Sequence, residues 1–382
     1  MNLSRKQFLS LSGTTVLGFS FFNALSGTGA AAPLIKSTIG NGKMKIDIKT
    51  KKLILEHTWT ISRNSSNFKN NVFVRIERDG IVGFGEAAPN VRYGENAELT
   101  TQKIKNAEQV LRENNLFHFV NIKDALDSAI LKQSCAKAAL DIALMDWIGK
   151  ALNVPLYKYY GLNTADAPLT SFSIGIDTPE VIKEKVREAA PYPLLKVKVG
   201  KPNDEEIIGA VRSVTDKPIR VDANEGWKTK EEALERILWL KSQGVEFIEQ
   251  PMPSDMIEET AWVRERAGIP IVADEAVKTA ADIPKLAKAY DGINIKLMKS
   301  GGIQEAVRMI GMAKSLGMKI MLGCMIESSV AISAAAHLTP FVDWADLDGN
   351  LLIKNDPFHG VKVDKGRFVF NDKPGLGVEG DF

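Results

Sequence analysis

Two hydrophobic periodicities divide the chain. Between residues 44 and 89 the repeat is close to two: Ile46-Asp47-Ile48 alternates, and Val72-Phe73-Val74-Arg75-Ile76 is a β-branched run. Asp79-Gly80 then marks a tight hairpin turn into Val82-Gly83-Phe84-Gly85-Glu86, since both residue types tolerate positive φ. From 97 to 160 the spacing lengthens to that of helices. The run Ala136–Leu152 keeps apolar residues at helical spacing and is followed by Pro155 and Gly161. Strands succeeded by helices predict an α+β unit over residues 44–165.

From residue 166 the pattern changes again. Short apolar strands (Leu194–Val199, Ile219–Val221, Phe247-Ile248, Ile269–Ala273, Gly292–Ile295 and Lys319–Leu322) recur at near-regular intervals. Amphipathic helical stretches such as Glu231–Ser242 and Gln304–Ser315 lie between them. Repeated strand–helix units predict a parallel sheet, and roughly seven or eight of them favour closure into an α/β barrel over residues 166–350. An open, doubly wound sheet is the competing fold, but no Gly-x-Gly-x-x-Gly turn opens a helix here. Residues 351–382 form a C-terminal segment expected to pack back on the first unit.

Residues 1–32 fit neither pattern. Arg5 and Lys6 precede an apolar stretch, Phe8–Phe22, which gives way to small residues at Gly27–Ala32. That order belongs to a cleavable export signal and predicts an exported, periplasmic protein. Ser4-Arg5-Lys6-Gln7-Phe8-Leu9 is similar to a twin-arginine signal with lysine as the second basic residue. A buried first helix or a membrane anchor is the alternative, but Ser, Thr and Gly interrupt the apolar part and it is short for a span. No later segment is long and apolar enough to cross a bilayer, so no membrane span is expected after cleavage.

Composition narrows the function classes. With 45% apolar and 25% charged residues the chain is globular, and a net charge of +2 gives no footprint for nucleic acid. Cys135 and Cys324 sit in apolar surroundings and read as buried thiols rather than a disulfide. The four scattered histidines exclude zinc-site spacing.

The chemistry lies at the strand ends. In Leu195-Lys196-Val197-Lys198 side chains alternate, so both lysines share one face and point into the barrel. Lysines there require anions. Asp222, Glu249 and Asp274 supply them at the ends of the next three strands, and Lys296 ends the one after. Singly, each has an ordinary explanation, such as a helix cap for the aspartates. Jointly they converge on one mouth of a closed barrel, where three carboxylates repel one another unless a cation sits among them. An all-oxygen set suits Mg²⁺, with Mn²⁺ as the alternative. A divalent ion flanked by two lysines is an arrangement for removing a proton next to a carboxylate, through an enolate, and returning it to the other face.

Lys196-Val197-Lys198, Asp222-Ala223-Asn224, Glu249-Gln250-Pro251, Asp274-Glu275 and Lys296 together resemble the enolase superfamily, in its muconate-lactonising subgroup. Gly83-Phe84-Gly85-Glu86 and Trp147–Ala151 extend the resemblance over nearly all of residues 44–370. It implies a modified (β/α)₇β TIM barrel with an N-terminal α+β capping domain, one Mg²⁺ on Asp222, Glu249 and Asp274, and acid/base roles for Lys198 and Lys296. Lys196 would contact the substrate carboxylate and lower the pKa of its neighbour, with Asn224 and Glu275 supporting the metal ligands. Asp346-Leu347-Asp348 near the last strand is similar to the Asp-x-Asp motif of dipeptide epimerases, which holds a free α-amino group. The expected substrate is therefore a small Ala-X dipeptide, Ala-Glu or Ala-Ala/hydrophobic. An N-acyl amino acid racemase or o-succinylbenzoate synthase of the same subgroup is the alternative enzyme. A catalytically dead binding protein is a third account, opposed by the intact lysines. Ser173, Met298 and Arg63 are further candidates for substrate contact, Arg63 through an acidic side chain. The family resemblance leaves a homo-oligomer open.

Overall fold

The computed structural model describes residues 40–382; residues 1–32, expected to be an export signal, lie outside the described residues. The first described unit is an antiparallel meander in the order β1 (Lys45–Thr60), β2 (Ser65–Arg78), β3 (Ile81–Ala87). Its second turn pairs Arg78 with Ile81, and Asp79 and Gly80 take φ of 54° and 76°, the twist a two-residue hairpin needs. Three helices follow: α1 (Ala97–Glu113), α2 (Phe119–Ala129) and α3 (Ser134–Ala151). Ser134 through Ala151 is buried almost all round, as expected of a helix apolar on every side. It lies close against β3 because two strand positions have no side chain. A Cβ on Gly85 would stand 1.9 Å from the Ala139 carbonyl oxygen, and one on Gly83 2.2 Å from that of Ala143.

Eight parallel strands build the second unit: β4 (Phe172–Ile174), β5 (Leu195–Lys198), β6 (Ile219–Asp222), β7 (Val245–Glu249), β8 (Ile271–Ala273), β9 (Gly292–Lys296), β10 (Lys319–Gly323) and β11 (Trp344–Asp346). They hydrogen-bond in sequence order from β4 to β11. A parallel bridge between Thr170 and Ala345 joins the first and last strands, with the Ser171 amide donating to the Ala345 carbonyl at 3.2 Å. The sheet thus closes as a (β/α)₇β barrel, and every strand's C-terminal end points to one rim.

The C-terminal segment returns to the capping sheet. Phe358 stacks on Phe73 of β2 at 5.6 Å between ring centroids, and Phe382 lies 6.2 Å from Phe84 of β3. Both cysteines are free thiols. No helix among the described residues is long and apolar enough to cross a membrane.

Candidate active site

Parallel register fixes the neighbours at the rim. Lys198 pairs with Asp222 across β5–β6, and Asp222 with Glu249 across β6–β7, while Asp274 follows the last residue of β8. Asp222, Glu249 and Asp274 are all buried, and each presents an oxygen within 4.8 Å of the others. The lysines stand at opposite ends of this row. Lys198 Nζ lies 2.6 Å from Asp222 Oδ2 on one side, and Lys296 Nζ 2.8 Å from Asp274 Oδ2 on the other. Lys196 lies below them, fully enclosed, with its ammonium 2.6 Å from both Glu249 and Asp346 and 3.4 Å from Asp222.

Crowding of like charges splits the acids. Burial and then the neighbouring Asp222 push Glu249 up to about 7, and burial with Asp274 does the same to Glu275. Asp222 moves the other way: burial opposes its ionisation, but Lys198 and Lys196 hold it below the usual range. Against the same burial, Lys296 and Lys299 keep Asp274 well below it. Lys196 and Lys296 are both raised well above an ordinary lysine, burial being outweighed by the surrounding carboxylates.

The donor set fits a hard divalent cation. Asn224 Oδ1 and Glu275 Oε2 are buried with no hydrogen-bond partner, and Glu249 Oε2 has only the Lys196 ammonium. Buried oxygens without donors are unfavourable unless a cation satisfies them. Asp222, Glu249 and Asp274 could hold such an ion, and their all-carboxylate chemistry suits Mg²⁺.

The remaining candidates are distributed around a cavity of about 280 Å³ between the rim and the capping sheet. Asp346 and Asp348 both line it, as does Ser173 on β4. Asp346 accepts from Ser171 Oγ at 2.7 Å, and Asp348 from the Ser173 amide at 2.6 Å. Despite burial, Lys196 and Lys198 draw Asp346 down to about 2, whereas burial and Asp346 drive Asp348 up to about 7. Asn224 donates from Nδ2 to Asp222 Oδ2 at 3.1 Å.

Three of the substrate-contact candidates are engaged with groups of the protein itself. Arg63 lines the cavity, but its guanidinium is bound to Glu275 at 2.7 Å, Glu225 at 3.0 Å and the Asn224 carbonyl at 2.7 Å. Two acids of the protein neutralise it, so it is not free for a substrate carboxylate. Met298 is buried in a short helix after β9, its sulfur accepting from the Ala88 amide. Lys196 is likewise engaged within the protein, serving as counter-ion to Glu249, Asp346 and Asp222.

Sequence reasoning missed the supports. Gln250, at a φ of 37°, accepts the amides of Asp274 and Ala276 through Oε1 and donates to Met252 and Tyr290, tying the ends of β7 and β8 together. Asn294 donates to Glu249 Oε1 at 2.8 Å, and buried Lys299 contacts Asp274 and the Asn294 carbonyl. Glu225, at a φ of 64°, receives Arg63 and Arg92. The one signal available was adjacency: Gln250 and Glu225 follow metal-ligand candidates by one and three residues.

Residues 46–161 match the model of the mandelate racemase/muconate lactonizing enzyme N-terminal domain, and residues 180–382 match the enolase C-terminal domain-like model. An L-Ala-D/L-Glu epimerase of Bacteroides thetaiotaomicron is 44% identical over 98% of this chain and 99% of its own. An L-Ala-D/L-amino acid epimerase of Pedosphaera parvula is 42% identical over 87% of this chain and 97% of its own. Among solved structures, a dipeptide epimerase from Cytophaga hutchinsonii, complexed with Mg and the dipeptide D-Ala-L-Val, superposes with a TM-score of 0.84 at 28% identity. That superposition covers 89% of this chain and 96% of the other.

Proposed function

Because the chain belongs to the enolase superfamily, with the N- and C-terminal domains of the mandelate racemase/muconate lactonizing group, we propose that it is a Mg²⁺-dependent dipeptide epimerase inverting the C-terminal residue of Ala-X substrates. One observation supports this above the rest: lysines 198 and 296 approach the acidic trio from opposite ends, with Asp346 and Asp348 on the same cavity wall. Asp222, Glu249 and Asp274 would hold the ion, which when bound supplies Lewis-acid stabilisation of charge developing on the substrate carboxylate.

The chain's own groups do the rest. Asp346 and Asp348 grip the substrate ammonium through charge-assisted hydrogen bonds, with Ser171 and the Ser173 amide holding the two carboxylates in place. That grip leaves the α-carbon between the two lysines. One lysine, neutral once the carboxylates that hold its proton are engaged with the ion, takes the α-proton; the opposite lysine, protonated, delivers a proton to the other face, and the roles exchange in the reverse direction. A substrate with a blocked amine gives the aspartates no cation, which favours free dipeptides over N-acyl amino acids.

A dipeptide library in D₂O with Mg²⁺ tests this. Each epimerised dipeptide should gain one mass unit at its α-carbon, and chelation should stop the exchange. No exchange from any free dipeptide would overturn the proposal, as would faster exchange of N-acetylated substrates. We further propose that residues 1–32 direct export to the periplasm, on the strength of the Arg5-Lys6 pair before Phe8–Phe22. Cell fractionation checks this, and full-length enzyme confined to the cytoplasm would contradict it.

A further inference from the structure

Resting on the epimerase proposal, the geometry leaves one substituent of the substrate without a recognised partner. The ammonium belongs to Asp346 and Asp348, the carboxylate to the acidic trio's ion, and the α-hydrogen to a lysine. The side chain of the C-terminal residue must therefore leave toward the capping sheet. That wall of the cavity includes Phe68, Lys69, Asn70 and Asn71 of β2. Lys69 and Asn71 share one face of the strand. Asn71 fixes that face toward the barrel by donating to the Ile326 carbonyl at 3.0 Å and to Glu86 at 2.8 Å.

Among the charged residues on the cap side of this cavity, Lys69 alone lacks a compensating partner among the described residues. Arg63 is held by Glu225 and Glu275. Glu95 accepts from the Cys135 amide at 3.1 Å, the Asn90 amide at 3.2 Å and Ser134 Oγ at 3.2 Å. Burial is what acts on Lys69, holding its ammonium below the ordinary lysine range, with no carboxylate to offset it. A partly desolvated cation in a cavity wall is stabilised by an incoming anion.

We propose that Lys69 determines side-chain specificity by pairing with an acidic side chain on the C-terminal residue of the dipeptide. L-Ala-L-Glu is then preferred over its uncharged isostere L-Ala-L-Gln, and the selecting charge comes from β2 rather than from Arg63.

The experiment compares kcat/KM for α-deuterium exchange of L-Ala-L-Glu and L-Ala-L-Gln in the Mg²⁺-loaded full-length enzyme and in Lys69→Met, Lys69→Arg and Lys69→Glu. A ratio taken within one variant cancels any loss of folded protein. The wild type should favour the acid. Lys69→Met should lower the Glu-to-Gln ratio roughly 10- to 100-fold, the range of one charge-assisted hydrogen bond. Lys69→Arg should keep most of the preference and Lys69→Glu should invert it. An unchanged ratio in Lys69→Met, with exchange of both substrates intact, overturns the role of Lys69 and leaves the epimerase proposal standing. Absence of exchange with any free dipeptide in the wild type overturns both.

Discussion

The barrel rim and the capping wall face each other across one cavity, yet they are built on opposite principles. At the rim the charged groups are buried and interlocked, Lys196 with Glu249 and Asp346, Asp274 with Lys296 and Lys299, Asp348 with the Ser173 amide, while the oxygens left without donors mark the place of the ion. Strained backbone at Asn224, Glu225 and Gln250, with φ of 46°, 64° and 37°, is held by the same network. The cap offers a two-stranded edge whose residues 64, 67, 68 and 70 are exposed and whose one unpaired cation in the cavity, among the described residues, is Lys69. Chemistry demands fixed positions, so it sits on strand ends with interlocking partners. Discrimination among side chains tolerates variation and, on the Lys69 proposal, sits on the hairpin.

If that contrast holds, damage at the rim should be large and indifferent to the substrate. Lys198→Ala and Lys296→Ala should each lower kcat for epimerisation by roughly 10²- to 10⁴-fold, the contribution of a positioned acid or base. Each variant should retain deuterium exchange from one stereoisomer only, read by mass spectrometry of the separated epimers. Full epimerase activity in either would end the two-base scheme. Next in size, Asp348→Asn should raise KM for free dipeptides roughly 10- to 100-fold through loss of a charged contact. It should change the KM of N-acetylated ones little, which sharpens the distinction between gripping the ammonium and shaping the site.

The smallest effect on turnover lies outside both regions. His337 packs against the short helix Leu156–Tyr159, its Nδ1 accepting the Tyr157 amide at 3.2 Å, and burial drives it down to about 4. In the unfolded chain it titrates near 6.5, so between about 6.5 and 4 the unfolded state binds the extra proton. Stability contributed here is complete above that window and falls as pH drops through it, by about 3 kcal/mol. Urea unfolding at pH 7 and pH 4.5 should show most of that loss, and His337→Gln should make the acid limb shallower. An equal pH dependence in the variant would remove His337 as its cause.

Legibility in the sequence followed the same division. Asp222, Glu249, Asp274 and Lys296 could be read because each closes or follows a short apolar strand, and strand alternation placed Lys196 and Lys198 on one face. The Asp79-Gly80 hairpin and the enclosed helix α3 were visible for equally local reasons. Gln250, Asn294 and Lys299 were not, since their roles arise from contacts between loops that no periodicity records. Arg63 illustrates the limit: its position near the cavity could be guessed, but its capture by Glu225 and Glu275 depends on where two barrel loops deliver their acids.

The rings of Phe358 and Phe382 on Phe73 and Phe84 carry a consequence for how the molecule is made. During synthesis the meander emerges early, but part of its greasy surface waits for partners translated only after the whole barrel. Ribosome-bound intermediates would thus expose an unfinished sheet, and distant pairings of this kind slow folding. Chaperone demand should therefore be highest just before the tail is released, and shortening the chain ahead of Phe358 should yield aggregates rather than a smaller active enzyme.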